Sequence, residues 1–187
     1  REEWLTTMSL TMEQGFDRFL TGLRATRPDS SHLTKTKSTI ERALAAKFDI
    51  DRMYAGGSFK HGSGVNGFSR LDYFVSMRAA KPKSSAAVLC EVFLTLQEKF
   101  PNSYVRIAVP AVVVELGEGY ESVEIIPAYS NGKADETETF FIPGITSEWL
   151  EISPAAQFSH LEDRTDKPMK DFIALVKAWK YYRNVPI

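Results

Sequence analysis

Apolar residues recur along the first part of the chain at Trp4, Leu5, Met8, Leu10, Met12, Phe16, Phe19, Leu20 and Leu23. Most of those spacings are three or four, which predicts a helix over 2–24 with one apolar face. Pro28 and the run Asp29-Ser30-Ser31 then read as a break and a cap, with a second helix over 31–47. A short strand is expected over 50–55, ending at Gly56-Gly57, and glycines at Gly62, Gly64 and Gly67 bend the backbone beyond it. The aromatic and β-branched run 71–77 is a strand. Ser84 caps a helix over 85–99 that Pro101 ends. Strands follow at 103–109, 111–116 and 121–126, the last two joined by a hairpin through Glu118-Gly119-Tyr120. A polar loop covers 130–138, and 140–142 reads as a short edge strand. A last amphipathic helix, 168–183, carries Phe172, Leu175, Val176 and Trp179 on one apolar face. Trp4, Trp149 and Trp179 all sit among apolar neighbours and are expected in the core. The order of elements gives an α+β fold, a mixed sheet flanked by helices, without internal repeats.

Composition narrows the function classes. The chain has 187 residues, of which 43% are hydrophobic and 25% charged, as in an ordinary globular domain. Lys and Arg number 23 against 24 Asp and Glu, so no global positive field draws nucleic acid, and any phosphate site is local. The single Cys90 excludes a disulfide framework and a multi-cysteine zinc site and suits a reducing, cytoplasmic setting. His32 and His160 lack metal-ligand spacing with any other His or Cys, so no zinc is expected. The longest apolar runs, such as 109–114, are far shorter than the ~20 residues of a membrane span, so no membrane partner is expected. The chain opens on Arg1 and stops just after a strongly patterned helix, which reads as a piece of a longer protein.

The chemistry concentrates in Gly57-Ser58-Phe59-Lys60-His61-Gly62-Ser63 and in Ser69-Arg70-Leu71-Asp72 at the start of the strand 71–77. A glycine turn at a strand end presents backbone N–H groups to an anion, and Ser58 and Ser63 add hydroxyls. Lys60 and His61 would add positive charge, although the bland reading of His61 is a solvent-facing side chain. Taken alone, such a Gly/Ser-rich turn reads more simply as an ordinary loop. Residues 70 and 72 lie two apart on a strand and share a face, where a pair of acids would hold divalent ions above the turn. Glu124 is an acid inside the apolar strand Ser122-Val123-Glu124-Ile125-Ile126-Pro127, either a third ligand or a solvent-facing group on an edge strand. Ser58 lacks the Gly-x-Ser-x-Gly setting of a hydrolase nucleophile.

Gly-Ser, three residues, Gly-Ser, then an acid-bearing strand, then a later acid before two hydrophobic residues and Pro, resembles the signature of polymerase-beta-type nucleotidyltransferases. The closest resemblance is to the cyclic-GMP-AMP-synthase/dinucleotide-cyclase-like branch (CD-NTases), anti-phage signalling enzymes of bacteria. Trp149, Ser153-Pro154, His160 and the helix run Leu175-Val176-Lys177-Ala178-Trp179-Lys180 resemble that branch's sequel, with Ser and Pro adjacent here where the family spaces them. The resemblance covers roughly 35–187. It implies a polymerase-beta-like core over 1–150 with N-terminal helices, and the beginning of a helical domain over 151–187. It also implies binding of ATP, GTP or other NTPs, a Mg²⁺ or Mn²⁺ cofactor, a nucleotide second messenger as product in anti-phage (CBASS) defence, and a regulatory or effector protein as partner. By resemblance, Gly57, Ser58, Gly62, Ser63, Ser69 and Lys177 bind nucleotide, and Asp72 and Glu124 are catalytic metal ligands. A Lys on a helix surface is otherwise simply solvated.

The family's first metal-binding Asp falls on Arg70. Arg carries the opposite charge and does not deprotonate in proteins, so a cation stands where a ligand is needed. Three explanations are open: an inactivating change in a competent enzyme, a pseudoenzyme that binds nucleotide without turnover, or slow chemistry on one ion held by Asp72 and Glu124. The favoured expectation is an enzyme scaffold with lost or impaired activity. The first alternative is an inactive nucleotide-binding module, and a toxin-type transferase acting on protein or RNA ranks behind it.

Overall fold

In a computed structural model, residues 10–24, 30–116, 122–131, 138–156, 159 and 166–185 are described. A mixed sheet is built from β1 (Ile50–Gly56), β2 (Leu71–Met77), β3 (Tyr104–Ala108), β4 (Ala111–Glu115), β5 (Ser122–Ser130), β6 (Phe140–Pro143) and β7 (Trp149–Ile152). The strand order β1-β2-β5-β4-β3 leaves β5 in the interior, parallel to β2 and antiparallel to β4. The far end of β5 pairs with β6, and β6 with β7. Interior strands bury both faces and so read as continuous apolar runs, as Val112, Val113 and Val114 do at full burial.

Alternation along β2 and β5 sorts the side chains. Tyr73, Val75, Met77, Val123 and Ile125 face one way, under α2 (Ser30–Ala45) and α4 (Ser85–Lys99). Ile40 and Leu44 of α2 and Val88, Leu89, Val92 and Leu96 of α4 complete that core. Asp72 and Glu124 therefore point to the opposite face, clear of the two helices. Ser84 caps α4, its Oγ accepting from the Ala87 N–H at 3.3 Å, as expected from the sequence.

A second, smaller core lies on the acid-bearing side. Leu23 of α1 (Met12–Leu23), Val65, and Ala174 and Ala178 of α5 (Lys167–Tyr182) pack together. The Asn66 N–H donates to the Leu23 carbonyl at 2.8 Å, and Arg24 forms an ion pair with Asp171. Phe68 stacks on Tyr181 with ring centroids 4.9 Å apart and planes 3° from parallel. These contacts fix α5 against the loop between β1 and β2.

Four expectations are corrected. The first helix begins at Met12, because Thr11 and Gln14 close a capping box there; residues 1–9 lie outside the described residues. The strand at 140–142 is not an edge, since β7 pairs along it. The inward face of α5 carries Asp171, Ala174 and Ala178, while Phe172, Val176 and Trp179 are exposed. Small side chains allow α5 to approach Leu23 and Val65 closely, so the larger ones turn outward. Trp179 is consequently not core. Trp149 is only partly buried against it, its indole N–H donating to the Pro82 carbonyl at 2.7 Å. Trp4, His160 and the 118–120 turn lie outside the described residues.

Candidate functional site: a charged cluster at the β1 turn

The turn after β1 is specified by Gly57, which holds φ at +64°. A Cβ on this residue would stand 1.4 Å from Asp72 Oδ2, so the absence of a side chain lets the carboxylate seat itself on the turn. The Asp72 carboxylate accepts the backbone N–H of Ser58. The chain then makes the short helix α3 (Gly57–Lys60) and returns through Gly62, φ +68°, with the Ser63 N–H donating to the Ser58 carbonyl at 3.0 Å. Ser63 is buried beneath this turn.

Lys177 reaches the turn from α5. Its Nζ donates to Ser63 Oγ at 3.0 Å and to the Ser63 carbonyl at 3.3 Å. Burial lowers the pKa of this ammonium, and the nearby Asp72 charge opposes that shift. The solvated-surface reading of Lys177 therefore does not hold.

The parallel register sets Asp72 directly beside Glu124. Glu124 is on an interior strand, not on an edge. Burial, then the neighbouring Glu124 charge and a hydrogen bond shared with it, push the Asp72 pKa up to about 7. The Ser58 N–H and Lys177 pull the other way. Arg70, just before β2, donates from its guanidinium to Glu124 Oε1 at 2.7 Å. Two acids and two cations thus share one end of the sheet.

Gly57, Ser58, Gly62, Ser63, Arg70, Asp72, Glu124 and Lys177 are brought to this corner of the fold. Ser69 stands one step away, its Oγ accepting from the Val65 N–H at 2.8 Å and closing the 65–69 loop. Sequence reasoning missed Arg24, Asp171 and the Phe68–Tyr181 stack, which hold α5 and hence Lys177 in place. Arg24 and Asp171 lie 147 residues apart, and no local pattern signals such a pair. It also missed a cavity of about 260 Å³ beside α3, lined by Arg52, Tyr54, Lys60, Glu138 and Phe140. Burial pushes the Tyr54 hydroxyl up to about 12, so it stays neutral.

A pair of divalent ions does not fit these residues. Among the described residues, no three His, Cys, Asp or Glu side chains gather as a metal site. Glu124 already accepts the Arg70 guanidinium. A divalent ion on Glu124 would stand roughly 4 Å from that guanidinium, a repulsion of roughly 8 kcal/mol at an effective dielectric of ~20.

Residues 8–164 match the family described as the Second Messenger Oligonucleotide or Dinucleotide Synthetase (SMODS) domain. The chain belongs to this family. Among solved structures, the SMODS chain is similar to CdnC of E. coli MS115-1 in a complex with HORMA-deltaN, at 18% identity and a TM-score of 0.66 over 91% of this chain and 57% of that one. It is also similar to the CdnE cyclic dinucleotide synthase of Elizabethkingia meningoseptica with GTP and Apcpp, at 14% identity and a TM-score of 0.68, covering 93% and 67%. A third is the STING-associated CdnE c-di-GMP synthase of Capnocytophaga granulosa, at 15% identity and a TM-score of 0.62, covering 94% and 60%. At these identities the likeness establishes the CD-NTase, polymerase-beta-like fold. The SMODS chain spans only about three fifths of the first of these relatives, CdnC. No curated protein matches it. No helix among the described residues is long and apolar enough to cross a membrane.

Proposed function

We propose that this SMODS chain is the core of a nucleotidyltransferase that takes NTPs to a cyclic or linear oligonucleotide second messenger for anti-phage defence in the cytoplasm, with turnover lost or impaired by Arg70. The observation that carries this reading is the Arg70–Glu124 ion pair at 2.7 Å, set beside the Gly57–Ser63 turn that Lys177 reaches from α5. In this reading Ser58, Ser63 and Lys177 hold the triphosphate at the β1 turn. Gly57 keeps that turn open to Asp72, and Gly62 brings Ser63 back beneath it. Ser69 keeps the loop before Arg70 closed. Asp72 and Glu124 face the reacting end of the nucleotide, and Arg70 withdraws Glu124 from the divalent chemistry that family members use.

The cavity at Tyr54 and Phe140 has room beside this turn for part of a second nucleotide. The E. coli CdnC structure contains HORMA-deltaN, and a regulatory protein partner is part of the proposal. The second reading, a nucleotide-binding module without turnover, is favoured by the same ion pair.

Conversion of labelled ATP and GTP with Mg²⁺ or Mn²⁺ tests the two readings in the full-length protein. The Arg70→Asp variant is expected to make product at least about a hundredfold faster than the unchanged chain, since removing one catalytic electrostatic group commonly changes rate by 10²–10³. Equal activity in both would show that Arg70 is not the lesion. Silence from both, with nucleotide binding intact, selects the binding module.

A further inference from the structure

We propose that this chain binds nucleoside triphosphate without a divalent metal, with Arg70 and Lys177 supplying the counter-charge. The inference rests on the reading of the β1 turn as a nucleotide site and goes further by naming what neutralises the phosphates.

Charge balance comes first. A site built from acids alone repels a triphosphate until metal ions arrive. Here Asp72 and Glu124 are matched by Arg70 and Lys177, so the cluster is balanced by the chain's own cations. Both cations are positioned rather than loose. Lys177 is held at the turn by Ser63 Oγ and the Ser63 carbonyl, 3.0 and 3.3 Å away. Arg70 is held by Glu124 at 2.7 Å.

Donor capacity comes second. A guanidinium carries five N–H donors in a planar fork, and among the described residues Arg70 makes one ion pair, through a single terminal nitrogen. Its side chain keeps 39% of its surface exposed, and the donors not given to Glu124 remain for a ligand. Such a fork matches phosphate oxygens in a bidentate way, where a metal would otherwise bridge them. The contact that opposes metal on Glu124 is therefore the contact that presents a cation to phosphate.

Equilibrium binding of ATP and GTP, each measured with EDTA and with excess Mg²⁺, separates the possibilities. The unchanged chain is expected to bind with affinities within about twofold in the two conditions. Inorganic tripolyphosphate is expected to compete in EDTA. Arg70→Asp is expected to bind about tenfold or more weakly in EDTA and to recover in Mg²⁺. Arg70→Lys, which keeps the charge, should retain EDTA-resistant binding, and circular dichroism checks that each variant is folded. A tenfold loss for the unchanged chain in EDTA overturns the inference while leaving the nucleotide site standing. Undiminished EDTA-resistant binding by Arg70→Asp overturns Arg70's part in the same way. Absence of binding in every chain and condition overturns the nucleotide site itself.

Discussion

Gly57→Ala is expected to lower the melting temperature by roughly 5–15 °C, at about 2–4 °C per kcal/mol for a chain of this size. Two separate penalties add at this position. The backbone there has φ +64°, and a left-handed conformation costs a non-glycine residue about 1–2 kcal/mol. The new Cβ would also meet Asp72 at 1.4 Å from Oδ2, 2.4 Å from Cγ and 2.9 Å from Cβ. Oδ2 and Cγ can swing away by rotation about χ1 only at the expense of the Ser58 contact, while Asp72 Cβ is fixed by β2, between β1 and β5, and keeps its 2.9 Å clash. Together these amount to roughly 2–4 kcal/mol, in the range of a strained backbone combined with overpacking. Nucleotide affinity is expected to fall about tenfold or more as the turn distorts. Gly67→Ala is the informative control: it has φ +75° but nothing within 4 Å of its Cβ position. It should lose only the conformational part. Thermal melts of the two variants side by side check this, and equal losses would mean that the Asp72 contact is not what Gly57 protects.

The legible parts of the fold were those that depend on local periodicity. The strand 71–77, the helix after Ser84 and the acid inside an apolar strand all follow from patterns a few residues long, and β2, α4 and the placement of Glu124 agree with them. The start of α1 was readable in principle, since Thr11 and Gln14 have the capping-box spacing. Apolar spacing at Trp4, Leu5 and Met8 pointed to a longer helix and outweighed that cue. The inward face of α5 was misread because periodicity detects apolarity, not closeness of packing. Ala174 and Ala178 score weakly as hydrophobes, yet they are what lets the helix meet Leu23 and Val65. β7 was missed because it is four residues long and bears Glu151, whose carboxylate accepts from Asn131 and Thr139 on the neighbouring segments. Within the site, the turn and the two acids could be found from spacing. The Lys177–Ser63 contact joins residues 114 apart, and only tertiary structure creates it.

Asp72→Asn is expected to stabilise the protein in a pH-dependent way. The Asp72 pKa rises from an ordinary 3.8 to about 7 in the folded chain, chiefly through burial and then through Glu124. The folded state thus favours the protonated form. Asp72 contributes most to stability below the unfolded value, and that contribution declines as pH rises through the window from about 4 to about 7. Above pH 7 the native chain carries a poorly solvated carboxylate beside a second acid, and an amide of the same shape removes that charge. The amide also gives up the charge-assisted bond to the Ser58 N–H and the attraction of Lys177, so the net gain is about 1–2 kcal/mol, or roughly 2–8 °C. The difference in melting temperature between variant and native chain should be small or reversed near pH 4, grow across the window and level off by pH 8. A difference that is flat with pH would place the Asp72 titration outside that window. The same substitution is expected to weaken any turnover restored by Arg70→Asp, because on the proposed reading the group that limits stability also faces the reacting end of the nucleotide.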